Sequence, residues 1–282
     1  MKDGTTLSLN CKGNLIDVSM PKVMGILNLT PDSFFDGGKH GTDTAVLKQV
    51  ERFLKDGATF VDIGAYSSRP DAKDVSETEE LNRILGSLEK IVANFPEALI
   101  SIDTFRSQVA SACLERGAAM INDISGGAMD AKMLDVVAHY QVPYIVMHMR
   151  GTPQNMAQKT DYDDVTIDVM RSLSQKVLEA TTKKVNDIII DPGFGFAKTL
   201  EQNYELLNRL DLFQSFELPL LVGISRKSMI YKLLKTSAKD ALNGTTALNT
   251  IALLKGANIL RVHDVKEAME CVQLVGQLRT NG

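Results

Sequence analysis

Cysteine is scarce in this sequence, and the few cysteines are not arranged as pairs. Cys11, Cys113 and Cys271 are odd in number, lie far apart and form no CxxC motif. This pattern argues against a disulfide framework and against a zinc site. It predicts reduced thiols in a cytosolic compartment.

Long apolar runs and targeting signals are also missing. No stretch reaches the roughly 18 consecutive apolar residues of a membrane-spanning helix, and residues 1–10 lack the basic and then apolar pattern of a signal peptide. The 31 basic residues are outnumbered by 35 acidic ones, so a net charge of -4 offers no broad positive field to polyanions. We therefore expect a cytoplasmic protein that binds neither nucleic acid nor a membrane.

Several catalytic and cofactor patterns are absent as well. The chain has no GxSxG nucleophile motif, and nothing in it supports a Cys/His pair or a Schiff-base lysine. The GFGF segment after Asp191 lacks the third glycine of a dinucleotide fingerprint. These absences predict chemistry without a covalent intermediate and without NAD.

The stretch 99–127 is the clearest structural unit in the chain. Two short apolar strands, 99–102 and 119–121, flank a segment with the apolar spacing of an amphipathic helix, 107–116. Each strand ends abruptly in polar residues, which a strand buried on both faces of a parallel sheet does not need for its core. Ligands bind at that end of parallel α/β sheets, so Asp103 and Asn122 are candidate site residues.

The same alternation continues along the whole chain. Eight predicted strands alternate with helices and end at Asn28, Asp62, Asp103, Asn122, His148, Asp191, Ser225 and Arg261. Eight strands in 282 residues predict one α/β domain, a (β/α)8 TIM barrel at 22–280 with a short N-terminal β-hairpin at 5–18. A doubly wound open sheet is the alternative, and it is less favoured because every strand, not only those beside one switch point, ends in polar residues.

Eight segments then occur in an order that resembles one family. They are NLTPDSFFDGG, DIGAYSSRPDA, SIDTFRSQVA, INDISGG, VMHMRGTPQNM, DPGFGFAKT, GISRKS and RVHDV. Together they are similar to the successive motifs of the dihydropteroate synthases, the pterin-binding folate-pathway transferases that sulfonamides inhibit. The resemblance implies a TIM barrel that condenses 6-hydroxymethyl-7,8-dihydropterin pyrophosphate with p-aminobenzoate to 7,8-dihydropteroate and pyrophosphate by a dissociative, SN1-like substitution.

A pterin presents a fused ring with a 2-amino-4-oxo edge, which needs a carboxylate acceptor and amide or cationic donors. The resemblance assigns that role to Asp103, Asn122, Met147, Asp191, Lys227 and Arg261. It implies that Asp191 accepts from the 2-amino edge, that Lys227 reaches the carbonyl side and that Arg261 stacks on the ring. Asp103, Asp191 and Lys227 are the predicted catalytic residues.

The pyrophosphate leaving group carries several negative charges and needs cations. The resemblance implies an anion pocket of Asn28, Arg69, Arg261 and His263, with Mg²⁺ held mainly by substrate oxygens and Asn28 as its protein ligand. The RVH pattern places Arg261 and His263 on the same side of a strand. Asp62, Asp123 and His148 are expected to be structural, and either aspartate could support the site from behind.

The aminobenzoate subsite is predicted to be built mostly from loops. The resemblance assigns it Pro31, Phe34, Ser68, Arg69, Pro70, Phe196, Lys227 and Ser228. Phe34 and Phe196 could instead be ordinary hydrophobic plugs. This chain departs from the usual family pattern at Phe35, Ala65 and Tyr66, which lie in the predicted substrate loops.

Two other functions share parts of this pattern. A corrinoid-dependent pterin methyltransferase barrel also uses strand-end Asp and Asn, but the TPDSF, SRKS and RVH segments suit a pyrophosphate leaving group. A non-catalytic pterin-binding paralogue is expected to lose a pocket residue, and none is missing here. The expected partners are small-molecule substrates and, from the family, a second copy of the chain in a homodimer.

Overall fold

The computed structural model describes residues 7–29, 38–66 and 75–280. Within them, eight parallel strands form one sheet, and their order across it is Ile188–Asp191, Tyr144–Met147, Met120–Asp123, Leu99–Asp103, Phe60–Gly64, Lys22–Asn28, Ile259–Val262 and Leu221–Val222. A parallel bridge between Ile190 and Leu220 joins the two outer strands of this order. The predicted eight-stranded α/β barrel with an N-terminal hairpin is therefore confirmed.

The strand bounds lie close to the predicted ones. The hairpin consists of β1 (Ser8–Cys11) and β2 (Asn14–Asp17), and the barrel strands are β3 (Lys22–Asn28), β4 (Phe60–Gly64), β5 (Leu99–Asp103), β6 (Met120–Asp123), β7 (Tyr144–Met147), β8 (Ile188–Asp191), β9 (Leu221–Val222) and β10 (Ile259–Val262).

The helices lie between these strands. Among the described residues they are α1 (Gly38–Lys55), α2 (Glu77–Asn94), α3 (Ser107–Leu114), α4 (Met133–Tyr140), α5 (Val165–Thr182), α6 (Leu200–Asn208), α7 (Ser228–Tyr231), α8 (Leu242–Leu254) and α9 (Val265–Thr280). In the described part of the chain, no helix is both long and apolar enough to cross a membrane.

Local sequence explains where several helices begin and end. Ser76 caps α2, since its hydroxyl accepts from the Glu79 N–H. Three glutamates lie in the first turn, where their negative charges interact favourably with the helix dipole. Thr199 and Gln202 form a reciprocal capping box at α6. Gly117, with φ of +91°, follows α3 in a conformation that disfavours any side chain.

Strand β9 ends at Val222, three residues before the predicted strand end at Ser225. The Leu220 N–H donates to the side-chain oxygen of Asn258 at 3.0 Å, and only Leu221 and Val222 pair in register with β10. A side chain takes over part of the ladder here, so regular pairing is limited to two residues.

The alternation of side chains along each strand organises the barrel interior. Its amino-terminal end is filled by an apolar layer that includes Met24, Phe60, Met120, Ile145, Ile189, Leu221 and Ile259. The hairpin closes this end, because Leu9, Cys11 and Val18 pack into the same cluster. The opposite faces of the strands pack against the helices in the larger core. On each of these strands, the residue two positions after the one in the apolar layer also points inward. It lies nearer the carboxyl end of the barrel, which we call the mouth.

Candidate functional site

The inward positions nearest the mouth form one pocket. It contains about 330 Å³ of empty space, counting the part open to solvent. It is lined by Asp103, Asn122, Ile124, Met147, Asp191, Phe196, Gly223, Lys227 and Arg261. All six predicted pterin residues are in this set, together with Phe196 from the predicted aminobenzoate subsite.

Arg261 is held between two carboxylates in this pocket. Its Nε donates to Asp62 Oδ2 at 2.6 Å, and its Nη2 donates to Asp103 Oδ2 at 2.7 Å. Asp62 is fully buried, whereas the Asp103 side chain is 21% exposed and lines the pocket. The guanidinium plane is therefore fixed by two acceptors on neighbouring strands, which is the geometry that arginine's fork suits best.

Asp62 also positions a second pocket residue. Asn122 Nδ2 donates to the same Asp62 oxygen at 2.9 Å. Asp62 does not line the pocket, and its other oxygen, Oδ1, is buried and has no hydrogen-bond partner among the described residues. The suggestion that Asp62 supports the site from behind fits this geometry. Asp123, in contrast, accepts from Ser125 N, Gly127 N and the Tyr144 hydroxyl, and so fixes the loop after β6.

Asp191 ends β8 on the opposite side of the pocket. Its side chain is almost completely buried, and Oδ1 accepts from the Gly193 N–H at 2.8 Å. Burial raises the pKa of Asp191, while the nearby Lys227 ammonium opposes that shift. A dry carboxylate beside a cation is suited to accept hydrogen bonds from a ligand.

Lys227 enters the pocket from the loop between β9 and α7. Its Nζ donates to the Phe194 carbonyl and lies 4.6 Å from the centre of the Phe196 ring. Burial lowers the pKa of Lys227 to about 8, although Asp191 favours its charged form. The preceding Arg226 has a φ of +56° and makes a bidentate ion pair with Asp264, with both contacts at 2.8 Å.

Three predicted anion residues, Asn28, Arg261 and His263, are described and lie around the mouth, but only Arg261 lines the pocket. Asn28 ends β3 in register with Gly64, which itself pairs with Asp103, so it lies at the same level of the barrel. His263 follows β10, is exposed, and its Nδ1 contacts Ser225 Oγ at 3.0 Å. Ser228, the first residue of α7, is half-buried and does not line the pocket.

Five predicted residues, Pro31, Phe34, Ser68, Arg69 and Pro70, lie outside the described residues, as does the departure at Phe35. The other two departures are described. Ala65 is buried, and its carbonyl accepts from Arg83 Nη1. The Tyr66 ring packs edge-on against Phe105 at 5.0 Å, and its hydroxyl accepts from Gln154 Nε2 at 2.8 Å.

Ile124 and Gly223 line the pocket although the sequence did not predict them. A glycine inside the apolar run LVGIS is a known signal of close backbone approach, so Gly223 could have been found. Ile124 follows the strand-end pair Asn122–Asp123 and carries no such signal. His148 is buried as predicted for a structural histidine, and its Nδ1 contacts Lys198 Nζ at 3.0 Å.

The described residues contain no group of three or more His, Cys, Asp or Glu side chains that could hold a metal ion. A Mg²⁺ bound chiefly through substrate oxygens would need few protein ligands. The predicted Asn28 contact to Mg²⁺ stays a prediction.

The rate is expected to depend on the ionisation of Asp103. Burial raises the pKa of Asp103 to about 7, although the Arg261 charge favours the ionised form. Ionised Asp103 holds Arg261 and accepts ligand hydrogen bonds, so kcat/KM for the pterin substrate should rise with pH to a plateau, with a midpoint near 7. By linkage, the same raised pKa gives stability at low pH that is lost as the pH rises through about 7.

The check is a pH profile of kcat/KM for the intact protein and for Asp103→Asn. The variant should lose the rise in kcat/KM near pH 7. It should retain any change in kcat/KM that comes from ionisation of the substrate phosphates. An unchanged profile in the variant would show that another group titrates.

The fold and pocket define a class. A parallel eight-stranded barrel that collects carboxylates, an amide and two cations at its carboxyl mouth is an enzyme scaffold for a small polar ligand. The family model for pterin binding enzymes matches residues 24–263. The chain belongs to this family and, within it, to the dihydropteroate synthases.

The relatives support that placement. The dihydropteroate synthase of Escherichia coli strain K12 is 42% identical over 271 residues, which cover 95% of each chain. A solved Yersinia pestis dihydropteroate synthase with a sulfonamide drug is 41% identical, with a TM-score of 0.91 over 97% of this chain and 100% of that one. The Xanthomonas albilineans dihydropteroate synthase with 4-aminobenzoic acid is 36% identical, with a TM-score of 0.91 over 98% and 99% of the two chains.

Proposed function

We propose that this protein condenses 6-hydroxymethyl-7,8-dihydropterin pyrophosphate with p-aminobenzoate, forming 7,8-dihydropteroate and releasing pyrophosphate. The observation that carries this proposal is the pocket, where all six residues expected to meet a pterin converge from five strands of the barrel and the loop after β9. The Xanthomonas relative crystallised with 4-aminobenzoic acid and the Yersinia relative with a sulfonamide support the second substrate.

The pterin ring lies among the buried polar groups of the mouth. Asp191 accepts from the 2-amino edge, and Asn122 and Asp103 meet the remaining ring atoms. Lys227 reaches the carbonyl side, and Arg261 lies against the ring face. Met147, almost fully buried, forms an apolar wall of the same pocket.

The pyrophosphate points out of the mouth toward solvent. Arg261, His263, Asn28 and Arg69 bind it, and Asn28 would be the protein ligand of a Mg²⁺ bound together with it. The ion supplies charge neutralisation to the leaving group when it is bound.

The aminobenzoate binds after the pterin, beside the pterin methylene carbon. Phe196, Lys227 and Ser228 form its described side, and Pro31, Phe34, Ser68, Arg69 and Pro70 complete the subsite. Phe196 lies within 4.6 Å of the Lys227 ammonium, so one ring and one cation face the same end of the pocket.

The reaction is a substitution at the pterin methylene carbon. The C–O bond breaks first, and its electron pair leaves with the pyrophosphate. The aminobenzoate nitrogen then forms the C–N bond and releases a proton. Asp103 and Asp191 stabilise the pterin-methyl cation, because fixed charges in a dry site act strongly on developing charge.

The test is release of pyrophosphate by the purified protein. Release should require both substrates together, with 7,8-dihydropteroate formed in equal amount. A corrinoid methyltransferase would release no pyrophosphate, and a non-catalytic paralogue would bind the pterin without turnover. Either result would refute the proposal.

The same proposal includes a homodimer in the cytoplasm. Leu254, Leu274 and Leu278 on α8 and α9 are more than half exposed, which leaves apolar surface for a second subunit. The three cysteines are free thiols, as expected for a reducing compartment. Sedimentation equilibrium is the measurement that tests the dimer.

A further inference from the structure

A short turn supplies two of the groups that contact Lys227, the Phe194 carbonyl and the Phe196 ring. Phe196 N donates to the Gly193 carbonyl at 3.1 Å, which defines a turn over residues 193–196. One side of this turn faces the pocket, since the Phe194 carbonyl accepts from Lys227 and the Phe196 ring lines the cavity. The turn therefore sets both the position of the Lys227 ammonium and that of the ring beside it.

Lys198 holds the opposite side of the same turn. Its Nζ donates to the Gly193 carbonyl at 2.9 Å and to the Phe196 carbonyl at 3.0 Å, so it joins both ends of the turn. The third contact of Nζ is His148 Nδ1, at 3.0 Å. In its charged form a lysine has three N–H groups, and these three partners match that number, although burial lowers the pKa of Lys198 well below its ordinary value. Lys198 does not line the pocket.

His148 connects this lysine to the end of β7. Its side chain is buried, and burial with the nearby cations lowers the pKa of His148 to about 2. The ring is therefore neutral, and its Nδ1 can pair with Lys198 without charge repulsion. The turn also lies directly on β7, since a Cβ at Gly193 would come within 2.0 Å of the His148 carbonyl oxygen.

We propose that Lys198 is a positioning residue for the aminobenzoate half of the reaction. It acts through the turn: it fixes the Phe194 carbonyl and the Phe196 ring, and these place Lys227. Of the predicted pterin residues, Asn122 and Arg261 are held by Asp62, and Arg261 in turn pairs with Asp103. Asp191 and Lys227 contact the turn itself. This inference rests on the proposed function and extends it to a residue outside the pocket.

The test variant is Lys198→Met, which keeps most of the aliphatic stem and removes the N–H donors. The KM for p-aminobenzoate should rise about tenfold, and that for pterin pyrophosphate less than about threefold, because Asn122, Asp103 and Arg261 keep their positions without the turn. Sulfonamide affinity should fall by the same factor as aminobenzoate affinity. Lys198→Arg, which retains N–H donors, should restore much of the difference between the substrates.

Lys176→Met is the matched control. Lys176 is another largely buried lysine, and its Nζ donates to the Ser125 and Met147 carbonyls at 2.6 and 2.9 Å. It should lower thermal stability without a selective change toward aminobenzoate. If Lys198→Met raises both KM values by one factor, or lowers only the melting temperature, Lys198 is structural and the proposal is wrong.

A second variant and a prior activity measurement complete the test. If Lys198→Met does not fold, His148→Asn is measured instead, because it keeps the lysine and changes the third partner of its Nζ. The criterion is the same: a larger rise in the KM for p-aminobenzoate than in that for pterin pyrophosphate. Activity of the intact protein is measured first. Failure there refutes the proposed reaction, whereas an active intact protein with an unselective Lys198→Met refutes only the role of Lys198.

Discussion

Lys227→Ala should lower kcat/KM by roughly 30- to 1,000-fold, equivalent to about 2–4 kcal/mol of transition-state stabilisation. The alanine removes a buried cation that lies between Asp191 and the Phe196 ring, so a carboxylate and the pterin carbonyl both lose their partner. Asp191→Asn should cause a loss in the same range, since the amide cannot accept two N–H groups as a carboxylate does. The measurement is pyrophosphate release at several concentrations of each substrate.

Lys232→Ala is the control for the lysine variant. Lys232 is exposed and lies five residues further along the chain, so its removal should leave the rate unchanged. Near-normal activity of Lys227→Ala would exclude Lys227 from the reaction, provided that circular dichroism shows both variants to be folded.

Asp62→Ala should be nearly as damaging, although Asp62 touches no ligand. One of its oxygens holds both Arg261 and Asn122, and removing a partner from a buried ion pair costs about 3–5 kcal/mol. Arg261 would then pair only with Asp103 and could shift toward the pterin space. We expect kcat/KM to fall about 100-fold or more, with weaker pterin binding as the larger part of the loss.

Asp62→Asn separates geometry from charge. Its remaining oxygen can accept from both neighbours, so the variant should keep more activity than Asp62→Ala. Asp123→Asn is the buried control, since Asp123 fixes a loop and touches no described pocket residue through its carboxylate. A rate loss in Asp123→Asn equal to that in Asp62→Ala would mean that general destabilisation, not the position of Arg261, explains the effect.

Charge balance in the mouth connects these variants. Three buried or partly buried carboxylates, Asp62, Asp103 and Asp191, face two cations, Arg261 and Lys227. Burial raises the pKa of Asp103 and of Asp191, and removing Arg261 or Lys227 would remove the charge that opposes this rise. Removing a carboxylate frees a cation to bind the leaving group in the wrong place. Substitutions at Arg261 and at Asp62 should therefore not be additive.

Much of the barrel could be predicted from strand alternation. Each barrel strand is short and apolar, and each ends in polar residues, so eight such strands with helices between them predict parallel strands with their polar ends together. Asp103, Asn122, Asp191 and Arg261 were placed in one mouth on this ground and by family resemblance, and the structure brings them into one pocket. Alternation with period two is local, so a sequence shows it directly.

The sequence by itself therefore determined the fold class, the end of the barrel that carries the site, and most of the residue types in the pocket. Tertiary structure alone decided which group pairs with which: that one Asp62 oxygen serves both Asn122 and Arg261, and that Lys198 joins His148 to the turn beside Lys227. The physical reason is separation along the chain. Asp62 and Arg261 are 199 residues apart, and a hydrogen bond between them depends on strand register and rotamers that no local pattern encodes.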